Sequence, residues 1–151
     1  MFIIIVALTI FADRLSKLWA IRILKGHSPI RVLGHFFEFS YVENSGAAFG
    51  MLKNARWFFL IFTVLVLIGI FCYYRKNRLD LFQKTLLAFF IGGTVGNLID
   101  RWQWGYVVDF VSVNIGSYSF PVFNIADICI TVSVFIYFFK LLREEREKKD
   151  V

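Results

Sequence analysis

FIIIVALTIFADRLSKLWAIRIL, residues 2–24, is the stretch whose reading decides the fold. At about 1.5 Å per residue it is long enough to cross a hydrocarbon core of about 30 Å, yet it holds Asp13, Arg14 and Lys17 in its interior. An ionised side chain at mid-membrane costs about 2.5–3.5 kcal/mol on insertion scales, so such charges must be paired or lie near an end. Asp13 and Lys17 are four residues apart and share a helical face, which makes them an ion pair pointing into a bundle. A helix–helix tether without chemistry explains that pair as well as a functional site does. Arg14 is expected to turn elsewhere, towards backbone carbonyls, and Arg22 and Lys25 to snorkel to the interface. A cleavable signal peptide is the competing reading, but no basic segment precedes Phe2 and no A-x-A site follows Thr9, so the run is read as a span.

Three further apolar runs, at about 57–74, 85–99 and 122–142, have spanning character. The fold class expected is a mainly α membrane protein, a four-transmembrane-helix bundle forming one integral membrane domain over residues 1–151. Its outer loops are 25–56 and 100–121. Composition agrees: 58% of the 151 residues are hydrophobic, against about 45–50% in soluble domains, which also rules out disorder. The net charge of +6 then reads as topology rather than as a nucleic-acid footprint. Nine basic residues lie at 75–84 and from Lys140 onward against five in the other two loops, which places both termini in the cytoplasm. Cys72 and Cys129 sit in apolar runs about 13 Å apart in depth, so no disulfide and no metal site is expected.

The outer loops carry two alternating segments. In F-E-F-S-Y, Phe37, Phe39 and Tyr41 share one face and Glu38 and Ser40 the other, and V-S-V-N-I from Val111 repeats the pattern. They predict a small extracytoplasmic β-sheet lying at the outer membrane surface. The charged tail beyond Lys140 reads as a solvated helix end.

Depth arithmetic gathers the polar groups on one side. Lys17 lies ~10 Å and Asp13 ~16 Å below an outer end at Leu24, and Asp127 lies ~8 Å below one at Val122. Asp100 and Arg101 close the third run on that same side, and Asn44 and Asp109 fall in the outer loops. No His lies in a span, and His27 and His35 read as surface residues. Asp109 and Asp127 are therefore the pair with usable chemistry. Two carboxylates in close approach cannot both ionise, so they hold one proton between them: the charged one takes a proton from water, the neutral one gives a proton to a carbonyl. The amides of Asn44 and Asn97 are suited to orienting a substrate backbone, and Gly46, Gly93 and Gly96 to letting a chain or helix come close; an ordinary turn at 44–50 and a small-residue helix contact at 92–97 remain equal alternatives.

Five stretches taken together resemble the lipoprotein signal peptidases, the signal peptidase II family of bacterial inner-membrane aspartyl proteases. They are Asp13-Arg-Leu-Ser-Lys17, Asn44-Ser-Gly-Ala-Ala-Phe49, Gly92-Gly-Thr-Val-Gly-Asn-Leu-Ile-Asp-Arg101, Val108-Asp-Phe110 and Phe123-Asn-Ile-Ala-Asp127. Each is weak alone; their order and spread over residues 13–127 make the joint match specific. The resemblance implies an aspartyl endopeptidase without cofactor that removes the signal peptide from diacylglyceryl-modified prolipoproteins, just before the lipidated cysteine. It makes Asp109 and Asp127 the catalytic dyad, with Asp13, Lys17, Asn44, Asn97, Asp100, Arg101 and Asn124 lining the site. Membrane phospholipid and a globomycin-type inhibitor are the further partners implied. The aromatic strand faces near Phe37 and Val111 are expected to cover the substrate, with Gly46 as the point of flexure.

Rival readings fit less well. Presenilin-like proteases carry G-x-G-D, which is not found here. A proton-coupled carrier calls for inverted repeats and broken helices near the midplane, whereas these charges gather at one edge and Pro29 and Pro121 lie outside the spans. A purely structural subunit leaves Asp109 and Asp127 without a purpose.

Overall fold

The computed structural model describes residues 1–46 and 51–149. Four long helices, α1 Phe2–Ile23, α2 Arg56–Lys76, α3 Leu81–Trp104 and α4 Ile125–Lys149, are joined by strands β1 Ile30–Leu33, β2 Phe37–Asn44, β3 Val107–Ile115 and β4 Tyr118–Ser119. The strands form one antiparallel sheet in the order β1-β2-β3-β4. Residues 47–49 of the Asn44–Phe49 stretch lie outside the described residues.

Helix α3 runs past both ends of the apolar segment 85–99, and its caps explain why. Asp80 and Gln83 form a reciprocal capping box at the start, and Gly105, at φ +81°, supplies the left-handed residue that ends it. Asp100 and Arg101 consequently stand on the last turns of a helix rather than in a loop.

Three glycines let α3 approach its neighbours. A Cβ on Gly92 would fall 2.6 Å from the Thr9 Cβ of α1, one on Gly93 2.6 Å from the Ala126 carbonyl of α4, and one on Gly96 2.5 Å from Asp13 Oδ2. Of the two readings of the 92–97 run, close helix contact is the one these distances support. Gly96→Ala is expected to lower stability by about 1–3 kcal/mol in thermal unfolding of the detergent-solubilised protein, because the methyl group has to displace a buried carboxylate. Gly69→Ala in α2, where a Cβ meets nothing within 4 Å, should instead raise stability by about 0.5–1 kcal/mol. Equal responses at the two positions would contradict this packing.

The inner side of the sheet packs on the end of α1. Ala20, Leu24, Val108, Phe110 and Val111 form its buried core, flanked by Phe37, Phe39, Tyr41 and Phe123. Trp19 meets Phe39 and Phe110 edge-on. The sheet is larger than the two alternating segments suggest, since β3 begins at Val107 and every residue from Val107 to Ser112 is buried, which hides its period. Lys25, expected to snorkel, is paired with Glu43 at 2.8 Å and so ties the end of α1 to β2.

Elsewhere the helices present apolar side chains outward. Leu60 is the one buried residue of α2, while Trp57, Ile61, Leu65 and Phe71 are each at least 60% exposed. Exposed apolar surface on this scale marks contact with lipid or protein. Arg56–Lys76 and Ile125–Arg146 are long and apolar enough to cross a membrane by length and composition. Charges in α1, and polar residues with glycines in α3, set those two helices apart.

Candidate active site

The residue before α4 is Asn124, and its side chain caps the helix. Its Oδ1 accepts the Asp127 N–H at 2.9 Å, while Asp127 Oδ2 accepts the Asn124 N–H at 3.3 Å. This reciprocal box fixes Asp127 in the first helical turn, where the helix dipole favours negative charge. Asp127 thus lies ~4.5 Å along the helix from its cap.

Asp109 lies on β3 and is 1% exposed. Its partner on β2 owes its position to a bulge. Phe39 pairs with Val111 but Val42 with Asp109, so one extra residue is accommodated in β2. The extra residue moves Asn44 onto the face of Asp109, where strict alternation from Phe37 would have turned it away. Asn44 Nδ2 donates to Asp109 Oδ2 at 2.9 Å. Asn44 Oδ1 in turn accepts the Gly46 N–H at 3.0 Å, and the Gly46 carbonyl accepts from Arg101 Nη2 at 3.3 Å.

Asn124 and Asn97 complete the carboxylate contacts. Asn124 Nδ2 donates to Asp109 Oδ1 at 2.6 Å, and Asn97 Nδ2 to Asp127 Oδ1 at 2.8 Å. Each of the four oxygens of Asp109 and Asp127 therefore receives an N–H. Burial, reinforced by the Asp127 charge, pushes the Asp109 pKa up to about 7, against the pull of the two asparagine donors and of Lys17.

Behind this layer lies a buried charge cluster. Lys17, Asp13 and Asp100 are all 0% exposed. Lys17 Nζ lies 2.8 Å from Asp13 Oδ2 and 2.9 Å from Asp100 Oδ2 as ion pairs and donates to Asn97 Oδ1 at 2.8 Å. Asp13 Oδ1 accepts the Ala126 N–H at 3.0 Å, so the pair inferred from i, i+4 spacing also holds the start of α4. Asp100 Oδ2 accepts the Val108 N–H at 3.2 Å, one residue before Asp109.

A cavity of about 280 Å³ opens in front of the carboxylates, lined by Asn44, Gly46, Asn97, Arg101, Asp109 and Asp127, with Val107, Pro121, Val122, Phe123, Ile130 and Thr131. Arg101 is its cationic lining residue, with its guanidinium 4.8 Å from the Phe59 ring centre of α2. Among the described residues no group of His, Cys, Asp and Glu could hold a metal ion. Such an arrangement suits proton transfer to and from a polar group bound in the cavity.

All ten residues singled out in the sequence meet in or behind this cavity: Asp13, Lys17 and Asp100 behind it, Asn124 bridging the two carboxylates, and the other six on its wall. Ile130 and Thr131 were missed, although they stand three and four residues after Asp127 on the same helical face. Arg14 was misread: it pairs with Asp100 Oδ1 at 2.8 Å, donates to Gln103 and lies 4.5 Å from the Trp104 ring centre. Those partners are 86 or more residues away, and local spacing carries no signal for them.

Comparison with known proteins adds an independent line. The family described as signal peptidase (SPase) II matches residues 5–143. A lipoprotein signal peptidase of Symbiobacterium thermophilum is 41% identical over 147 residues, covering 96% of each chain. One from Caldanaerobacter subterraneus is 45% identical over 140 residues, covering 90% of this chain and 92% of that one. A bacterial membrane enzyme determined by the in meso method at 2.3 Å superposes with a TM-score of 0.89 at 34% identity, covering 99% of this chain and 92% of that one.

Proposed function

The chain belongs to the signal peptidase II family and is a peptidase of membrane-enzyme fold, and from that premise we propose that it is an aspartyl endopeptidase acting on lipidated prolipoproteins. It removes the signal peptide just before a diacylglyceryl-modified cysteine. The observation that carries this reading is the contact set of Asp109 and Asp127. All four carboxylate oxygens accept N–H groups, from Asn44, Asn97, Asn124 and the Asn124 backbone. A proton held by the pair must therefore be shared between the carboxylates or point into the cavity, at water or a substrate carbonyl.

Hydrolysis follows from that constraint. The charged carboxylate takes one proton from a water whose oxygen attacks the scissile carbonyl carbon, while the neutral one protonates the carbonyl oxygen. The resulting gem-diol collapses with cleavage of the C–N bond. In that step the neutral carboxyl gives its proton to the departing amine of the lipidated cysteine while the charged one takes a gem-diol hydroxyl proton, so the signal peptide leaves with a new carboxyl group and the pair again holds one proton. Arg101 and the Asn44 amide are placed to hold the peptide backbone in the cavity.

The membrane supplies the other half of the specificity. In this reading all four helices span the bacterial inner membrane with both termini cytoplasmic, so that the buried cluster of α1 and α3 faces the bundle and the sheet lies at the outer surface. A diacylglyceryl group partitions into lipid at about 0.8 kcal/mol per buried methylene, which holds the modified cysteine at the depth of the cavity. Globomycin-type cyclic peptides are expected to compete there.

Cleavage by the purified protein in detergent, with lipidated and unlipidated forms of one prolipoprotein, tests the proposal. The expected result is cutting of the lipidated form alone. Because the Asp109 carboxyl is raised to about 7 by burial, the pair keeps its proton below that pH and loses it above. The rate should therefore fall about tenfold per pH unit on the alkaline side of about pH 7. Equal cutting of both forms, or a rate still climbing through pH 9, would overturn it.

A further inference from the structure

Arg14 is the one member of the buried charge cluster with access to the surface: its side chain is 24% exposed, while that of Asp100, which it touches, is fully buried. Three contacts from the last turns of α3 hold its guanidinium, namely Asp100, Gln103 and the face of Trp104. Such a planar, forked cation is fixed in orientation as well as in place.

The consequence lies in how Asp100 divides its oxygens. Oδ1 goes to Arg14 at 2.8 Å, which leaves Oδ2 for Lys17 at 2.9 Å and the Val108 N–H at 3.2 Å. From Oδ2 two routes lead to the proposed dyad. One passes through the Val108 amide to the adjacent Asp109, and the other through Lys17 and Asn97 to Asp127. Without Arg14, both oxygens of Asp100 would be free to turn to Lys17, and the Val108 amide would lose its acceptor.

We propose that Arg14 is a positioning residue for the dyad, acting through Asp100 to set where strand β3 presents Asp109 relative to Asp127. This rests on the function proposed above. The role differs from a tether because it predicts an effect on the chemical step at unchanged substrate binding: Arg14 lies outside the cavity lining, and misplacing reacting groups lowers kcat.

The test compares wild type, Arg14→Gln, Arg14→Lys and Gln103→Ala as full-length purified protein, with kcat and KM for a lipidated peptide, thermal unfolding, and hydrogen exchange of the segment 107–110. Arg14→Gln should lower kcat about tenfold, with KM within about twofold and faster exchange at 107–110. Arg14→Lys keeps a cation facing Asp100 but loses the fork to Gln103 and the stacking on Trp104, so it should lower kcat less than Arg14→Gln does, by about threefold, while Gln103→Ala, which leaves the Asp100 contact intact, should stay within about twofold of wild type. Wild-type kcat in Arg14→Gln, or an equal loss in Arg14→Lys, overturns the inference, as does an effect confined to KM. Should Arg14→Gln not fold, Arg14→Lys decides through exchange at 107–110: a lowered kcat with faster exchange at unchanged KM supports the role, and a lowered kcat with wild-type exchange, or no change in either, overturns it. A wild-type protein that leaves the peptide uncut would instead reject the proposed function, while the exchange measurement would still report on β3.

Discussion

Asp109→Asn and Asp127→Asn are each expected to lower kcat by about 10³-fold or more, since each removes one of two groups that must exchange protons in the same step. The double variant should be little worse than either single one, because residues that act as a unit are not additive. Asn is close in shape to Asp, yet the replacement is not silent. At Asp109 both oxygens receive an amide N–H, from Asn44 and Asn124. The introduced NH₂ must therefore face a donor. Asn44 cannot turn its carbonyl towards it without releasing the Gly46 N–H, so a stability loss of about 1–3 kcal/mol accompanies the loss of rate. Thermal unfolding beside single-turnover cleavage separates the two effects. A variant that melts near wild type yet cuts lipidated substrate within about tenfold would remove that aspartate from the proposed mechanism.

What the sequence could and could not show divides along physical lines. The Asp13–Lys17 pair was legible because helical spacing is local and because lipid penalises an unpaired charge; spacing alone, however, said nothing of Asp100, Asn97 and the Ala126 amide, the other partners that make it part of a cluster. Membership of the site was carried for several residues by the joint resemblance of five motifs. The mechanism of their placement was not. Asn44 reaches Asp109 through a bulge between Phe39 and Val42, and an alternating pattern cannot announce an inserted residue.

Two signals were present but overridden. Asn124 and Asp127 have the N-x-x-D spacing of a helix start, and Asp80, Gln83 and Gly105 bracket α3. Reading spans from hydropathy alone set these caps aside, and so placed Asp100 and Arg101 in a loop and started the fourth helix too early. In a membrane helix the polar ends carry the boundary, while the apolar middle carries only the length. Arg14 marks the limit of such reading, since its three partners come from the far end of another helix.

Lys17→Met is expected to have the largest effect on stability, a loss of about 3–5 kcal/mol in thermal or denaturant unfolding, because it strips the shared cation from two fully buried carboxylates. Asp100 keeps Arg14, so the unpaired charge falls mainly on Asp13, whose remaining contact here is the Ala126 N–H. A second variant therefore isolates the cause. Asp13→Asn added to Lys17→Met retains an oxygen for the Ala126 amide while removing the stranded charge, and should recover more than half of the lost stability. Activity should not return with it. Asn97 Oδ1 has lost its ammonium donor, and the amide that presents Nδ2 to Asp127 is then held by Asn124 Nδ2 at 3.2 Å alone. The double variant would thus be a folded enzyme with a loosened dyad, separating the structural from the functional share of one buried cation. If Lys17→Met melts as wild type, the cluster is not what holds α1, α3 and α4 together. If the double variant recovers cutting along with stability, Lys17 acts only as a tether, and the route through Asn97 has no part in orienting Asp127.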